Sequence, residues 1–268
     1  MLFRQFIACI GLAFGLSAAT AQPYPTRVVK IIIPFSPGGG IDVLVRAIAI
    51  DLTVKWGQAV IVENRAGAGG NLGAEAAAQS LPDGHTLLGS VNQIFTANAF
   101  LYKTLPYDPE HSFAPITLMV QSDQFLLAHP SVPAMNLREL VNLARREPGK
   151  LTYGSYGAGS QPQLVYEILN RKEGLDLLHV PYKGIAPLLT ALTAGEVMLA
   201  TGSTGVAGAL LKAGRLKALA TAGKLRSPES PEVPTTAELG YPYAQASIWY
   251  GLFAPARTPA GIIEKIGA

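Results

Sequence analysis

Apolar and polar positions along the chain fall into short β-rich runs separated by longer Ala- and Leu-rich stretches, the order expected of an α/β fold. Residues 28–34 (VVKIIIP) read as a buried strand that Gly38-Gly39-Gly40 ends. Residues 42–56 predict a helix carrying Val43, Ala47, Ile50 and Val54 near one apolar face. A second strand is predicted at 59–63, a second glycine loop at 67–70, a helix at 72–80, and a turn at Pro82-Asp83-Gly84 before a strand at 86–90. Such strand-loop-helix repetition favours mostly parallel sheets flanked by helices.

Residues 113–129 (FAPITLMVQSDQFLLAH) form an apolar run longer than most single strands, and residues 247–254 (SIWYGLFA) form another late in the chain. Two such segments are what a chain needs to cross from one lobe to another and return. Between them the pattern predicts a helix at 136–147, a strand at 151–155, and a glycine loop with a helix at 157–170. A strand at 176–181, a helix at 186–194 and strands near Val197 and Lys217 follow. At the end, Thr258 reads as an N-cap with Pro259 at the first helical position. Ile262, Ile263 and Ile266 then begin an apolar face, and the sequence stops at Ala268.

The first 21 residues have the pattern of a secretory leader: basic Arg4, an apolar stretch at 6–16, and Ala19-Thr20-Ala21 as a cleavage signal before Gln22. The apolar stretch is shorter than the roughly 18 residues needed to span a bilayer. Cys9, the only cysteine, lies inside it instead of just after it, which argues against a lipoprotein. Its removal with the leader leaves no thiol for disulfides, nucleophilic catalysis or metal binding. A periplasmic protein is therefore expected. The formal charge of +3 is small and scattered, which argues against nucleic acid as a partner. A hydrophobic content of 49% excludes general disorder.

Candidate chemistry centres on three glycine-rich loops, each after a predicted strand and before a predicted helix. They are Phe35-Ser36-Pro37-Gly38-Gly39-Gly40, Ala66-Gly67-Ala68-Gly69-Gly70, and Gly154-Ser155-Tyr156-Gly157-Ala158-Gly159-Ser160. Glycine allows close backbone approach, and helix N-termini offer free N–H groups and partial positive charge, so such loops can hold a carboxylate without a cationic side chain. A tight turn alone also selects glycine; the repetition, with hydroxyl residues in two of the loops, points to anion binding. Asp42 has two readings, as a cap of its helix or as a group that orients the glycine loop or a bridging water. No loop has dinucleotide or P-loop spacing. Thr201-Gly202-Ser203-Thr204-Gly205 lacks the first glycine of a nucleophile elbow. His85, His111, His129 and His179 are widely spaced, with no metal-binding pair. No catalytic residue, metal site or cofactor is expected.

From Pro34 to Arg46 (PFSPGGGIDVLVR) the chain resembles the Bug family of solute-binding receptors, which serve tripartite tricarboxylate transporters. The likeness continues through Val62 to Gly70 (VENRAGAGG), Leu105-Pro106-Tyr107-Asp108, Glu147 to Leu151 (EPGKL), Val180 to Gly184 (VPYKG), Val233-Pro234-Thr235 and Trp249 to Pro255 (WYGLFAP). The resemblance implies a two-lobed periplasmic-binding-protein fold of type II that closes on a small organic acid and docks on membrane permease subunits. Carried over, the ligand contacts would be Phe35, Ser36, Gly38, Gly39, Asp42 and Asn92 from lobe one. Lobe two would add Ser155, Gly159, Ser160, Gln161 and Tyr182. Lys183 reads as a solvated cation. Lobe one would comprise residues 22–120 with 251–268 returning to it, and lobe two residues 121–250. A monomer without cofactor is expected. The alternatives are a periplasmic enzyme acting on a carboxylated substrate and a solute-sensing subunit for a membrane kinase.

Two departures bear on the ligand. Where many relatives place an acidic residue, this chain reads Val197-Met198-Leu199-Ala200-Thr201, which weakens the case for a ligand amino group. Gln161-Pro162-Gln163 replaces small hydroxyl residues and histidine. The family also continues beyond the position where this sequence stops, so a truncated member whose last helix lacks part of its packing is expected.

Overall fold

The computed structural model describes residues 24–268; the expected leader lies outside them. In chain order the elements are β1 (Val29–Ile33), α1 (Gly40–Trp56), β2 (Val60–Asn64), α2 (Asn71–Ala78), β3 (Thr86–Val91), α3 (Asn98–Leu101) and β4 (Phe113–Asp123). Then come β5 (Phe125–Ala128), α4 (Leu137–Arg146), β6 (Thr152–Ser155), α5 (Gln161–Glu173), β7 (Leu178–Pro181) and α6 (Ile185–Ala194). The chain ends with β8 (Leu199–Gly202), α7 (Thr204–Lys212), β9 (Lys217–Thr221), β10 (Ser247–Pro255) and α8 (Ala260–Gly267).

Two five-stranded sheets result, ordered β2-β1-β3-β10-β4 and β7-β6-β8-β5-β9. Each is mixed. The pairs of β1 with β2 and β3, and of β6 with β7 and β8, are parallel. The pairs made by β10 and by β5 are antiparallel. The antiparallel half of each sheet is built around a strand that arrives from, or leaves for, the other sheet. The long apolar run at 113–129 is two strands in different sheets, broken at Gln124. There the Gln124 N–H donates to the Ala246 carbonyl at 3.2 Å, and the Ala222 N–H donates to the Gln124 carbonyl at 2.7 Å. Those bonds tie the outgoing crossover to the returning one.

Helices cover both faces of each sheet, which is why the strands read as continuous apolar runs. In the first sheet Ile31 and Ile33 pack with Ile41, Val45 and Ala49 of α1 and Ile266 of α8. Ile32 and Leu88 face Ala74 and Ala77 of α2 on the other side. Burying each isoleucine contributes about 1.5–3 kcal/mol. In the second sheet Tyr153 and Leu199 pack with Leu140, Val165 and Tyr166, while Leu127 and Ala200 face Leu188, Leu192 and Ala207. α4 is capped as its sequence suggests: the Asn136 side chain accepts the Glu139 N–H at 3.0 Å.

Three expectations are corrected. The apolar face assigned to α1 is the solvent face, with Val43 61%, Ile50 66% and Val54 82% exposed. The helix is apolar on two sides, and the stripe Ile41, Val45, Ala49 has equally good helical spacing, so periodicity alone does not choose. α7 was not anticipated between β8 and β9, because Gly205 and Gly208 weaken its helical pattern. Thr258 does not cap α8; its hydroxyl donates to the Pro255 carbonyl at 2.7 Å, and Pro259 occupies the N-cap.

Candidate functional site

The first glycine loop is held by Asp42, one turn into α1. Gly38, at φ +82°, donates its N–H to Asp42 Oδ2 at 2.9 Å. Asp42 also accepts from Arg46 Nε at 3.0 Å and from Asn64 Nδ2 at 2.9 Å, and Asn64 donates to the Phe35 carbonyl at 3.0 Å. The N-cap is Gly39 and no side chain caps the helix, so of the two readings of Asp42 it is loop orientation that holds. Burial opposes its charge. The hydrogen bonds from Arg46, Gly38 and Asn64 and the Arg46 charge outweigh that and keep the carboxyl below the usual carboxylate range.

Beside this loop, between the two sheets, lies a cavity of about 50 Å³. The first turns of three helices reach it: Gly39, Gly40 and Ile41 at α1, Gly184 and Ile185 at α6, and Gly202 and Ser203 at α7. Its remaining polar lining is Ser36, Gln124, Tyr156 and Tyr250, and its apolar lining includes Phe35, Val91, Val206 and Ile248. No ionisable acid or base other than the two phenols lines it. Burial raises the phenols of Tyr156 and Tyr250 above their usual range, so both stay neutral donors. The neighbouring Tyr250 raises Tyr156 further, while the Ser203 hydroxyl works against the shift at Tyr250. Converging helix N-termini and neutral hydroxyls make a site that favours a single small anion.

A second, outer cavity of about 330 Å³ adjoins it, lined by Pro34, Phe35, the loop from Ala66 to Gly70, Tyr156, Gly157, Tyr182 and Lys183. Contacts between the sheets close the cleft around both. The Ser36 hydroxyl donates to the Lys183 carbonyl at 2.7 Å, and Gln93 Nε2 donates to the Ala158 carbonyl at 2.8 Å.

The expected contact residues therefore separate into groups. Phe35, Ser36 and Gly39 line the inner cavity, and Tyr182 lines the outer one. Gly38 and Asp42 shape the loop behind them. Asn92 follows the lining residue Val91 and donates to the Ser247 carbonyl at 3.4 Å. Ser155, Gly159, Ser160 and Gln161 line neither cavity and instead build the third loop. In it Ser155 Oγ accepts the Gly157 N–H at 3.1 Å, Ser160 Oγ donates to the Gly157 carbonyl at 2.6 Å, and Gly159 donates to Gln163 Oε1 at 2.7 Å. Gln161 opens α5. A Cβ on Gly159 would fall 2.5 Å from Leu101 Cδ1, so this loop packs directly on α3.

Ser155 Oγ and His179 Nε2 share a hydrogen bond of 2.6 Å. The pair has the look of a nucleophile and its base, yet Ser155 is fully buried and lines neither cavity. His179 stacks on Tyr153, whose hydroxyl donates to Glu167 at 2.6 Å. Burial lowers the imidazole below its ordinary value, with Glu167 pulling the other way. Among the described residues, no three His, Cys, Asp or Glu side chains gather to hold a metal ion, and no helix is long and apolar enough to cross a membrane.

Residues 44–268 match the profile of the tripartite tricarboxylate transporter family receptor, TctC. The chain belongs to this receptor family. It is 38% identical to a UPF0065 protein of Bordetella pertussis, an alignment covering 97% of this chain and 80% of the relative. It is 36% identical to protein BugT of the same organism, covering 96% and 78%. Among solved structures it is similar to an R. palustris protein with adipate, at TM-score 0.87 and 34% identity over 91% of this chain and 81% of that one. MatC from Rhodopseudomonas palustris with bound malate gives TM-score 0.86 and 34% identity, covering 91% and 83%. The resemblance read from the sequence and the two-lobed periplasmic-binding-protein fold are thereby established.

The residues that sequence reading of this TctC-family chain missed are Gln124, Tyr156, Gly184, Ser203 and Tyr250. A signal for Ser203 existed: Thr201-Gly202-Ser203-Thr204-Gly205 is a fourth loop with glycine and hydroxyls between strand and helix.

Proposed function

We propose that this protein is a periplasmic solute-binding receptor that captures a small carboxylated metabolite for a tripartite tricarboxylate-type transporter. The observation that carries this reading is the cavity between the sheets, reached by the first turns of α1, α6 and α7 and lined by no Lys, Arg, His, Asp or Glu. A carboxylate gains there from three helix N-termini without the desolvation cost of a buried counter-ion. Relatives solved with adipate and malate support the same ligand class. The contacts would come from Phe35, Ser36, Gly39 and Tyr250 on the first sheet's side and from Tyr156 and Ser203 on the other, with Gly38 and Asp42 as support.

In this reading the chain is exported through its leader and acts as a monomer. Its two lobes are the two sheets with their helices, dividing near the crossovers at Gln124 and Ser247, and they close on the ligand by a hinge there. The liganded form then docks on the permease subunits. Ligand that binds only the folded state adds about 2.7 kcal/mol of stability at a hundredfold excess over Kd. A thermal-shift screen of aliphatic and aromatic acids is expected to give hits, and calorimetry with each hit should return the ligand unchanged. Hits confined to neutral sugars or cations would overturn the reading, and conversion of the ligand would favour an enzyme.

A further inference from the structure

The cleft is divided, and two side chains divide it. Phe35 and Tyr156 line both the inner cavity of about 50 Å³ and the outer one of about 330 Å³. Phe35 is a fixed part of the first lobe's core: its ring packs over Gly70, where a Cβ would lie 3.3 Å from Cζ, and its carbonyl is held by Asn64. Tyr156 is different. The backbone around it is secured by Ser155, Ser160 and Gln163, and none of those bonds uses the phenol. Its ring packs at the edge of the second lobe's core, while the bonds that hold the loop do not depend on the phenol.

The two chambers differ in charge as well as size. The inner one carries no ionisable side chain beyond the phenols, whereas Lys183 lines the outer one beside the Ala66 to Gly70 loop. An acid confined to the inner chamber finds helix N-termini for one carboxylate. A second carboxylate on the same ligand would be buried against Val91, Val206 and Ile248 with no cation in reach, and an unpaired buried charge is strongly disfavoured. The inner chamber is also the smaller of the two.

We infer that Tyr156 is the specificity-determining wall of this cleft, restricting the receptor to short acids with one carboxylate and an apolar remainder. Removing the wall joins the chambers and lets a second carboxylate reach Lys183. This rests on the reading of the cleft as a carboxylate site. It predicts that the chain differs from the relative solved with adipate in the length of acid it accepts.

The test is calorimetry of the wild type, Tyr156→Phe, Tyr156→Ala, and Tyr156→Ala combined with Lys183→Gln. The probes are propionate, butyrate and valerate against succinate, glutarate and adipate. The wild type and Tyr156→Phe are expected to prefer the monocarboxylates. Tyr156→Ala should shift the preference toward adipate by about tenfold or more, the scale on which a pocket discriminates small changes of ligand length. Lys183→Gln in that background should remove most of the gain. Wild-type protein that binds adipate better than the monocarboxylates overturns the inference even if Tyr156→Ala fails to fold, and so does an unchanged length profile in folded Tyr156→Ala. Absence of binding to every acid in both series, and to aromatic acids as well, would instead overturn the carboxylate reading itself.

Discussion

The Asp42 carboxylate accepts the Gly38 N–H at 2.9 Å, so a buried acid in the first turn of the first helix sets the shape of the loop in front of it. Within the proposed carboxylate reading, Asp42 acts as a positioning group for the loop. Replacing it with alanine leaves the Gly38 N–H, Arg46 and Asn64 without their shared acceptor. Asp42→Ala should cost about 1–3 kcal/mol of stability and lower ligand affinity together. Urea melts and calorimetry on the same preparation check this; a stability loss with unchanged affinity would return Asp42 to a purely structural role.

The same carboxyl gives an acid-side pH dependence. Its folded-state pKa is depressed, so its contribution to stability is fully present above the unfolded value of about 3.9. It is lost as pH falls through the lower folded value. Wild type and Asp42→Asn should therefore differ by a constant amount above about pH 3.9 and converge as pH falls below it. Denaturant midpoints followed downward from neutral pH read the effect.

Gly39 has an ordinary φ of −79° and does not need glycine for its backbone. It needs the space, because a Cβ there would sit 3.1 Å from Ile185 Cγ2 on the other side of the cleft. Gly39→Val is expected to fold with nearly wild-type stability and to lose binding, because the branched side chain holds α1 and α6 apart. Solution scattering should show a larger radius of gyration for Gly39→Val than for the wild type when ligand is added.

How much of this was readable beforehand follows from the range of the interactions involved. The strands of both sheets and the glycine loops were legible, because they depend on neighbours within a few residues. The break at Gln124 was not, since both halves of the run are apolar and only the pairing partners differ. The buried face of α1 was ambiguous for the same reason, the helix being apolar on two sides. Phe35, Ser36 and Gly39, expected from family likeness, line the inner cavity. Tyr156, Ser203 and Tyr250 were missed because they become neighbours only when loops of both sheets close over one cavity. Ser155 and Ser160 share a loop with Tyr156, yet their hydroxyls turn inward to hold its backbone.

His179 predicts a second pH dependence, of the same sign but near neutrality. Burial lowers its folded pKa, so the folded state favours the neutral ring, and stability is present above the unfolded value of about 6.5. It is lost as pH falls through the folded value. The groups facing it are Ser155, Tyr153 and, through Tyr153, Glu167. His179→Gln should remove the stability difference between pH 7 and pH 5 that the wild type shows, apart from contributions common to both proteins. Parallel slopes for the two proteins over that interval would mean that His179 does not titrate as its burial requires.

The final prediction separates closure from ligand contact. Gln93 is buried at the foot of the first lobe and lines neither cavity, yet its Nε2 donates across the cleft to the Ala158 carbonyl at 2.8 Å. It also reaches Gly69 O at 3.3 Å on its own side. The bond to Ala158 forms only when the third glycine loop rests on the first lobe, so its free energy belongs to the closed state. A net hydrogen bond contributes about 0.5–1.5 kcal/mol, which corresponds to roughly a two- to twelvefold change in affinity. Gln93→Ala should weaken every ligand of the wild type by a similar factor without changing their rank order, because no lining group is altered. The loss should fall on the dissociation rate, since opening becomes easier while encounter with the open cleft is unchanged. Stopped-flow kinetics with several acids measures this. A change in rank order would make Gln93 a ligand contact, and an unchanged dissociation rate would mean that closure does not depend on the bond to Ala158.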